Sequence, residues 1–258
     1  MIAGEVTALV LAGQRRGTDP MAAAAGLSHK ALLPVAGVPM LLRVLAALRA
    51  TPGIGRIVVS IEEPEATLKG LDGLEGVVLR PSDASPARSA AAVFAEFGAP
   101  LLVTTADHAL LTPAMVTHLL TSAPPEAAAL AALARRETVL ADFPGTQRTW
   151  LRLRDGDFSG CNLFLLGRPE ADRALRFWQC LEQQRKRPLA MARMLGPLPL
   201  LRYACGWLTL RGALDLLERR CASRLAAVEM PFGAAAVDVD KPADLLLAET
   251  WLGVRPHG

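Results

Sequence analysis

The first half of the chain alternates between two kinds of segment, and this alternation limits the possible folds more than any other feature. Val6–Ala12 is a short, continuous apolar run that ends at Gly13, as buried parallel strands do. Pro39–Ala50 has apolar residues at helical spacing and ends at a Thr-Pro-Gly turn. Similar strands and helices follow each other to about residue 120. The alternation predicts a doubly wound, mostly parallel sheet.

The same two patterns, continuous apolar runs and apolar residues at helical spacing, predict the other elements of the chain. Further strands are expected at Arg56–Ile61, Glu75–Leu79, Pro100–Thr105, Ala128–Ala134, Trp150–Arg154, Cys161–Leu166, Leu225–Met230 and Val237–Val239. Further helices are expected at Pro86–Phe97, from Thr112 to about Leu120, and at Pro169–Arg187, Pro188–Leu195, Thr209–Arg220 and Lys241–Leu252. The predicted class is therefore α/β, a three-layer Rossmann-like arrangement with helices on both faces of the sheet.

Composition and charge exclude several classes of protein. The chain has 258 residues, 52% of them hydrophobic, which is enough for a large core, and no linker divides it, so we expect a single domain over residues 1–258. A net charge of +3 does not indicate a nucleic-acid partner. The four cysteines are far apart, and no targeting or membrane-spanning segment is evident. We therefore expect a cytoplasmic protein, monomeric or homodimeric, without a membrane span.

The residues after the first predicted strand suit an anionic ligand. Leu11-Ala12-Gly13-Gln14 would let backbone N–H groups approach phosphate oxygens without a Cβ in the way at the glycine. Arg15, Arg16 and Lys30 would add positive charge, the arginines as bidentate donors and the lysine as a point charge. A plain turn with solvated charges explains the same residues equally well.

The full string is more specific. Leu11-Ala12-Gly13, followed by Lys30-Ala31-Leu32-Leu33-Pro34-Val35-Ala36-Gly37-Val38-Pro39, resembles the opening signature of the MobA-like NTP transferases, the type of molybdenum-cofactor guanylyltransferase and sugar-phosphate nucleotidyltransferases. Gln14 stands where that family usually has a second glycine. The resemblance implies a GT-A-type fold in which the glycine loop, an arginine (Arg15 or Arg16) and Lys30 hold a nucleoside triphosphate. Residues 1–125 would form the nucleotide-binding half and residues 126–258 the acceptor-binding half.

Two acidic residues complete the resemblance. Asp107 follows the strand Pro100–Thr105, and Asp240 lies in a closing stretch similar to the family's Asp-Val-Asp motif. The resemblance implies that both carboxylates hold Mg²⁺, an ion that takes one or two carboxylates plus substrate phosphates. Each aspartate could instead cap a helix, although Thr112 already serves that purpose after Asp107.

Three further side chains are candidate substrate ligands. Ser85 and Ser89 fall where the family has a loop entering a helix near the substrate, and Asn162 falls in a stretch similar to its Ser-Gly-x-Asn. Ser85 before a proline is equally typical of a helix cap, and Asn162 could simply satisfy backbone groups.

These residues together predict a Mg²⁺-dependent nucleotidyltransferase, with Arg16, Lys30 and Asp107 as its catalytic groups. It would transfer NMP from an NTP to a phosphorylated sugar, polyol or alcohol and release pyrophosphate. A molybdenum-cofactor guanylyl- or cytidylyltransferase is an open alternative. So is a catalytically silent nucleotide-binding module, which Gln14 and the altered serine loop suggest. The sequence lacks the G-x-S-x-G, Walker and G-x-G-x-x-G motifs of hydrolases, P-loop kinases and dehydrogenases.

Overall fold

The computed structural model describes residues 4–14, 17, 19–184 and 196–253. Its strands are numbered here in chain order. They are β1 (Val6–Leu11), β2 (Pro34–Val35), β3 (Val38–Pro39), β4 (Ile54–Ile61), β5 (Val77–Pro81), β6 (Leu101–Thr105), β7 (Ala129–Arg135), β8 (Leu151–Leu153), β9 (Gly156–Leu166) and β10 (Leu225–Glu229).

The helices connect these strands, and several begin with the capping residue and proline that the sequence supplies. They are α1 (Pro20–Ala24), α2 (Met40–Arg49), α3 (Pro64–Thr67), α4 (Pro86–Phe97), α5 (Pro113–Ser122), α6 (Arg136–Asp142), α7 (Ala171–Gln184), α8 (Pro197–Ala204), α9 (Leu210–Cys221) and α10 (Pro242–Trp251). Single 3₁₀ turns occur at Lys30–Leu32 and Gly233–Ala236. The Thr112 hydroxyl accepts a hydrogen bond from the Met115 amide at the start of α5.

One eight-stranded sheet contains strands from both halves of the chain, in the order β10-β7-β9-β6-β1-β4-β5, with β8 paired to β9. The pairs β1–β4, β1–β6, β4–β5 and β7–β10 are parallel, and β9 runs antiparallel to β6, β7 and β8. The chain leaves β1 toward β4 and β5 on one side and returns to β6 on the other. Ligands of open α/β sheets bind where the strand order reverses in this way.

Helices cover both faces of the sheet. Along β1 the side chains alternate, so that Ala8 and Val10 contribute to the larger apolar core and Leu9 to the smaller one. The larger core includes buried residues of α2, α5 and α10, and the smaller core includes residues of α4 and α7. The predicted α/β class, with its mostly parallel sheet between two helical layers, is confirmed.

The structure corrects two details of the sequence reading. Val237–Val239 is not a strand, because after the 3₁₀ turn it passes the carboxyl end of β6, where the Val239 amide bonds to the Asp107 carbonyl at 3.0 Å. Four helices, α1, α3, α6 and α8, and the two short strands β2 and β3 were not predicted. The predicted helix Pro188–Leu195 lies outside the described residues. Among the described residues, no helix is long and apolar enough to span a membrane.

Candidate functional site

A cleft of about 610 Å³ opens at the carboxyl ends of four neighbouring parallel strands. Strands β1, β4, β5 and β6 each end there, and the residues that follow them turn into the cleft: Gly13, Glu62, Ser82 and Asp107. The register keeps these ends level, with Leu11 opposite Ser60 on one side and opposite Thr105 on the other. The sheet thus brings together residues that are up to 94 positions apart in the chain.

In the turn after β1, the backbone N–H group of Gln14 points toward a carboxylate. The Gln14 amide donates to both carboxylate oxygens of Glu62 at 3.1 Å, and the Ser82 hydroxyl donates to the same group at 2.7 Å. The His29 Nε2 atom lies 3.3 Å from that carboxylate. A Cβ added to Gly13 would come within 3.0 Å of Glu62 Oε1 and of the Ser82 Cβ, so a larger residue here requires its neighbours to move. The backbone donor of this turn is therefore already occupied by an acidic side chain of the protein itself, the carboxylate of Glu62.

Lys30 joins two of the predicted site residues. Its Nζ lies 2.8 Å from Asp107 Oδ2 and 2.5 Å from Asp240 Oδ1, although Asp240 is 210 residues away in the sequence. Thr105 donates its hydroxyl to the other oxygen of Asp107 at 2.5 Å. The Lys30 side chain is only 17% exposed, whereas that of Asp240 is 63% exposed and faces the cleft. Lys30, Asp107 and Asp240 thus form one cluster.

This cluster perturbs the protonation of its members. Burial lowers the pKa of Lys30, but the charges of Asp107 and Asp240 and their hydrogen bonds outweigh that effect and raise it above the usual 10.5. Burial likewise raises the pKa of Asp240, but the hydrogen bond and charge of Lys30 outweigh it and lower that pKa below 3.8. Both groups are therefore held in their charged forms near neutral pH.

Neither aspartate acts as a helix cap. Thr112 caps α5 after Asp107, and Lys241 occupies the N-cap position of α10. The carboxylate of Asp244 receives the backbone N–H groups of Asp240 and Lys241, each at 3.1 Å. The structure thus excludes the capping alternative for both residues. Both carboxylates instead accept hydrogen bonds from Lys30.

The other predicted ligands are divided between the cleft and its surroundings. Ser85 and Ser89 line the cleft, where Ser85 caps α4 by accepting from the Arg88 amide at 3.4 Å and Ser89 accepts from the Asp83 amide at 2.8 Å. Leu11, Gly13 and Gln14 also line it. Arg15 and Arg16 lie outside the described residues.

Asn162 lies outside the lining of the cleft. Its amide nitrogen is 3.3 Å from Asp238 Oδ2, and its backbone has a positive φ of 45°. Asp238 is also bound by Arg148, whose side chain is 7% exposed. Burial raises the pKa of Asp238, and the charges of Asp240 and Asp107 raise it further.

Sequence reasoning missed Glu62, Ser82, Arg148 and Asp238. Glu62 directly follows the predicted strand Arg56–Ile61, and Ser82 lies three residues after the predicted strand Glu75–Leu79, so their position near strand ends was the available signal for them. Asp238 belongs to the Asp-Val-Asp stretch, in which the reading singled out only the second acid. Arg148 lies in a loop without any pattern, and nothing in the sequence distinguishes it from the other arginines.

The described lining of the cleft is strongly acidic. It contains one lysine, Lys30, and five acids: Asp19, Glu62, Asp83, Asp107 and Asp240. Such a surface repels a triphosphate unless cations intervene. The donors of Asp107 and Asp240 are oxygens, as Mg²⁺ prefers, and the ammonium of Lys30 between them shows that the two carboxylates can share one cation. The residues therefore fit a magnesium ion.

The fold and the cleft define an open α/β protein whose cleft lies at the reversal of strand order. Comparison with known families agrees. The family model of the MobA-like NTP transferase domain matches residues 8–230, so the chain belongs to this family and is a nucleotidyltransferase. No curated protein sequence gives a significant match.

Solved structures support the fold. A hypothetical transferase from Thermus thermophilus is 34% identical, with a TM-score of 0.83 over 93% of this chain and 99% of that one. A CMP:2-keto-3-deoxy-manno-octonic acid synthetase complexed with CTP is 14% identical, with a TM-score of 0.58 over 97% and 99%. The 4-diphosphocytidyl-2C-methyl-D-erythritol synthase of Anaerococcus prevotii is 9% identical, with a TM-score of 0.56 over 97% and 96%. At these last two identities the likeness concerns the fold alone.

Proposed function

We propose that this nucleotidyltransferase moves a nucleoside monophosphate from an NTP to a phosphorylated sugar, polyol or alcohol in the presence of Mg²⁺. The observation that carries the proposal is the cluster of Lys30 with Asp107 and Asp240 on the floor of the cleft. An oxygen of the acceptor phosphate attacks the α-phosphorus, the bond from that phosphorus to the bridging β-oxygen breaks, and pyrophosphate leaves. No protein nucleophile is needed, so the protein acts by positioning and by charge stabilisation.

The side chains divide this work between them. Lys30, Arg15 and Arg16 bind the triphosphate, and Lys30 and Arg16 stabilise the charge that develops on it. The backbone N–H groups at Gly13 and Gln14 hold phosphate oxygens once Glu62 has moved away. The side chains of Leu11 and Ala12 shape the same turn. Ser85 and Ser89, which also line the cleft, donate hydrogen bonds from their hydroxyl groups to the substrate.

Asp107 and Asp240 are the residues that would hold Mg²⁺. When bound, the ion neutralises phosphate charge and polarises the α-phosphate. With its two carboxylate partners on the ion, Lys30 would be free to bind phosphate oxygens and offset part of their charge. The acidic lining described above supports this assignment, because an NTP would not approach it without compensating cations.

We further propose that residues 1–125 form the nucleotide-binding half and 126–258 the acceptor-binding half of one domain. On this model Asn162 binds the acceptor only after releasing Asp238. The four free cysteines suit a reducing compartment such as the cytoplasm. The partners are an NTP and a small phosphorylated acceptor, not a nucleic acid, and the protein works as a monomer or homodimer.

The test measures pyrophosphate release from each of the four NTPs with a panel of sugar, polyol and alcohol phosphates and with molybdopterin. We expect release with one NTP–acceptor pair, abolished by EDTA and restored by Mg²⁺. Asp107→Asn and Asp240→Asn should each lower the rate by orders of magnitude, whereas Asp172→Asn, whose side chain pairs with Arg176 on α7, should not. Nucleotide binding without turnover for any acceptor would instead indicate a silent binding module, and release with molybdopterin alone would indicate a molybdenum-cofactor enzyme.

A further inference from the structure

A buried arginine lies behind the acidic pair of the cleft. Arg148 belongs to the loop between α6 and β8, and its side chain is 7% exposed. Its Nε donates to the Thr146 hydroxyl at 3.2 Å, and its two terminal nitrogens donate to the carboxylates of Asp238 and Asp244. A guanidinium that uses all three of its nitrogens in this way fixes the groups around it in one arrangement.

The two acids bound by Arg148 flank Asp240 in the sequence. One terminal nitrogen also donates to the Asp238 backbone carbonyl at 3.2 Å, so it binds the chain itself as well as a side chain. The other is 3.1 Å from one oxygen of Asp244. The second oxygen of Asp244 accepts the backbone N–H groups of Asp240 and Lys241, each at 3.1 Å. Asp244 is 4% exposed, so water does not compete for these bonds.

We infer that Arg148 is a positioning residue for the carboxylate of Asp240, acting through Asp238 and Asp244. The short link 237–240 is neither strand nor helix, so its own secondary structure does not hold Asp240 in place. Lys30 binds the end of the Asp240 side chain, and the backbone segment of Asp240 is held by the Arg148 bonds, the Asp244 carboxylate and the bond from the Val239 amide to the Asp107 carbonyl. Groups that orient a metal-binding side chain from behind typically account for a 10–100-fold effect on metal affinity or activity.

Arg148 also keeps Asp238 out of the cleft. Without the guanidinium, the half-buried Asp238 carboxylate would lie near Asp107 and Asp240 with only uncharged donors, such as the Asn162 amide. Three carboxylates at one cation site would repel each other, and the chain would move to separate them. The arginine thus has two effects on the same segment: it holds the backbone near Asp240 and neutralises the neighbouring acid.

The first experiment needs no catalysis and tests the placement in the ligand-free protein. Hydrogen exchange of the Asp240 and Lys241 amides is measured in the wild type, in Arg148→Lys and in Arg148→Met. We expect exchange to be at least tenfold faster in Arg148→Met and intermediate in Arg148→Lys, which keeps the charge but loses the planar fork. Arg148→Met combined with Asp238→Asn leaves one acid without its cation instead of two, and that acid, Asp244, still accepts two backbone N–H groups, so the double variant is the one to use if the single variant does not fold.

The second experiment rests on the proposed function. We expect Arg148→Met, or the double variant, to lower kcat by about 10–100-fold with the KM for NTP changed by less than threefold, and Arg148→Lys to recover part of the loss. The exposed Arg152→Met in β8 is the matched control and should keep the wild-type rate. Unchanged exchange at Asp240 in a folded variant, or a wild-type kcat, would overturn the inference. If the wild type itself releases no pyrophosphate, the proposed function fails, while the exchange result still decides the role of Arg148.

Discussion

Two regions of the cleft floor are each occupied by a charged side chain of the protein itself. The side chain is negative in one region and positive in the other. At the turn after β1, the Gln14 amide donates to the carboxylate of Glu62, where a phosphate is expected to bind. At the end of β6, Asp107 and Asp240 accept from the ammonium of Lys30, where a magnesium ion is expected to bind. In the ligand-free protein, Glu62 thus occupies the expected phosphate region and Lys30 the expected magnesium region.

The two regions differ in how firmly the internal group is held. The Glu62 side chain is 37% exposed, and its hydrogen-bond donors are the Gln14 amide and the Ser82 hydroxyl, with His29 Nε2 3.3 Å away. Lys30 is mostly buried and contacts two opposite charges, and Arg148 and Asp244 support the Asp240 side from behind. Two opposite charges in a partly buried site attract each other more strongly than a neutral donor attracts a carboxylate. We therefore expect a substrate phosphate to displace Glu62 easily, whereas Lys30 should leave its partners only when other cations replace it.

The largest expected effect comes from removing the ammonium. Lys30→Ala should lower kcat/KM by about 30–1000-fold, equivalent to about 2–4 kcal/mol of transition-state stabilisation, because the triphosphate loses its point charge. Steady-state pyrophosphate release checks this, with the exposed Lys69→Ala as control. Wild-type turnover in Lys30→Ala would show that the lysine serves only to neutralise the two acids.

The next effect tests whether the acidic region binds a metal. Mg²⁺ and the cognate NTP together should raise the melting temperature by about 5–10 °C at a hundred times Kd, because the ligands bind only the folded chain. Either ligand alone should do much less, since each compensates the charge of the other. Differential scanning fluorimetry measures this, and Asp107→Asn should remove the joint effect. A full shift with NTP alone would contradict a metal site at Asp107 and Asp240.

A smaller effect is expected at the start of α4, where Ser85 lines the cleft. Ser85→Ala should lower the free energy of unfolding by about 1 kcal/mol, since it removes the cap of α4, and should raise the KM for NTP about threefold. Thr112→Ala removes the equivalent cap of α5 outside the cleft lining and should change stability alone. Urea unfolding and initial rates distinguish the two variants. Identical KM values for both would leave Ser85 a cap only.

The smallest effect tests how weakly the turn holds its glutamate. Glu62→Gln should lower the KM for NTP about threefold, which corresponds to less than 1 kcal/mol, because a neutral amide competes less well with phosphate for the Gln14 amide. The neighbouring Glu63→Gln, whose side chain is exposed and makes no cap bond, should leave KM unchanged. A KM that rises in Glu62→Gln would mean that Glu62 binds the substrate itself.

The sequence by itself determined the elements and the class of the fold. Continuous apolar runs fixed β1 and β6, and Pro86–Phe97 has the predicted bounds because a serine and a proline define its start. The same local signals placed Gly13 and Asp107 at strand ends, where an α/β sheet binds its ligands. The Val237–Val239 prediction was wrong because an apolar alternation of three residues cannot show whether a partner strand is available.

Only the tertiary structure decided which charged groups of the site pair with one another. It joined Lys30 to Asp240 across 210 residues and Arg148 to Asp238 across 90. It also placed Glu62 on the Gln14 amide. Periodicity and capping depend on neighbours within a few residues, and so they are visible in the sequence. Which charges meet in the cleft depends on the order and register of strands in the sheet, which no local pattern in this chain specifies.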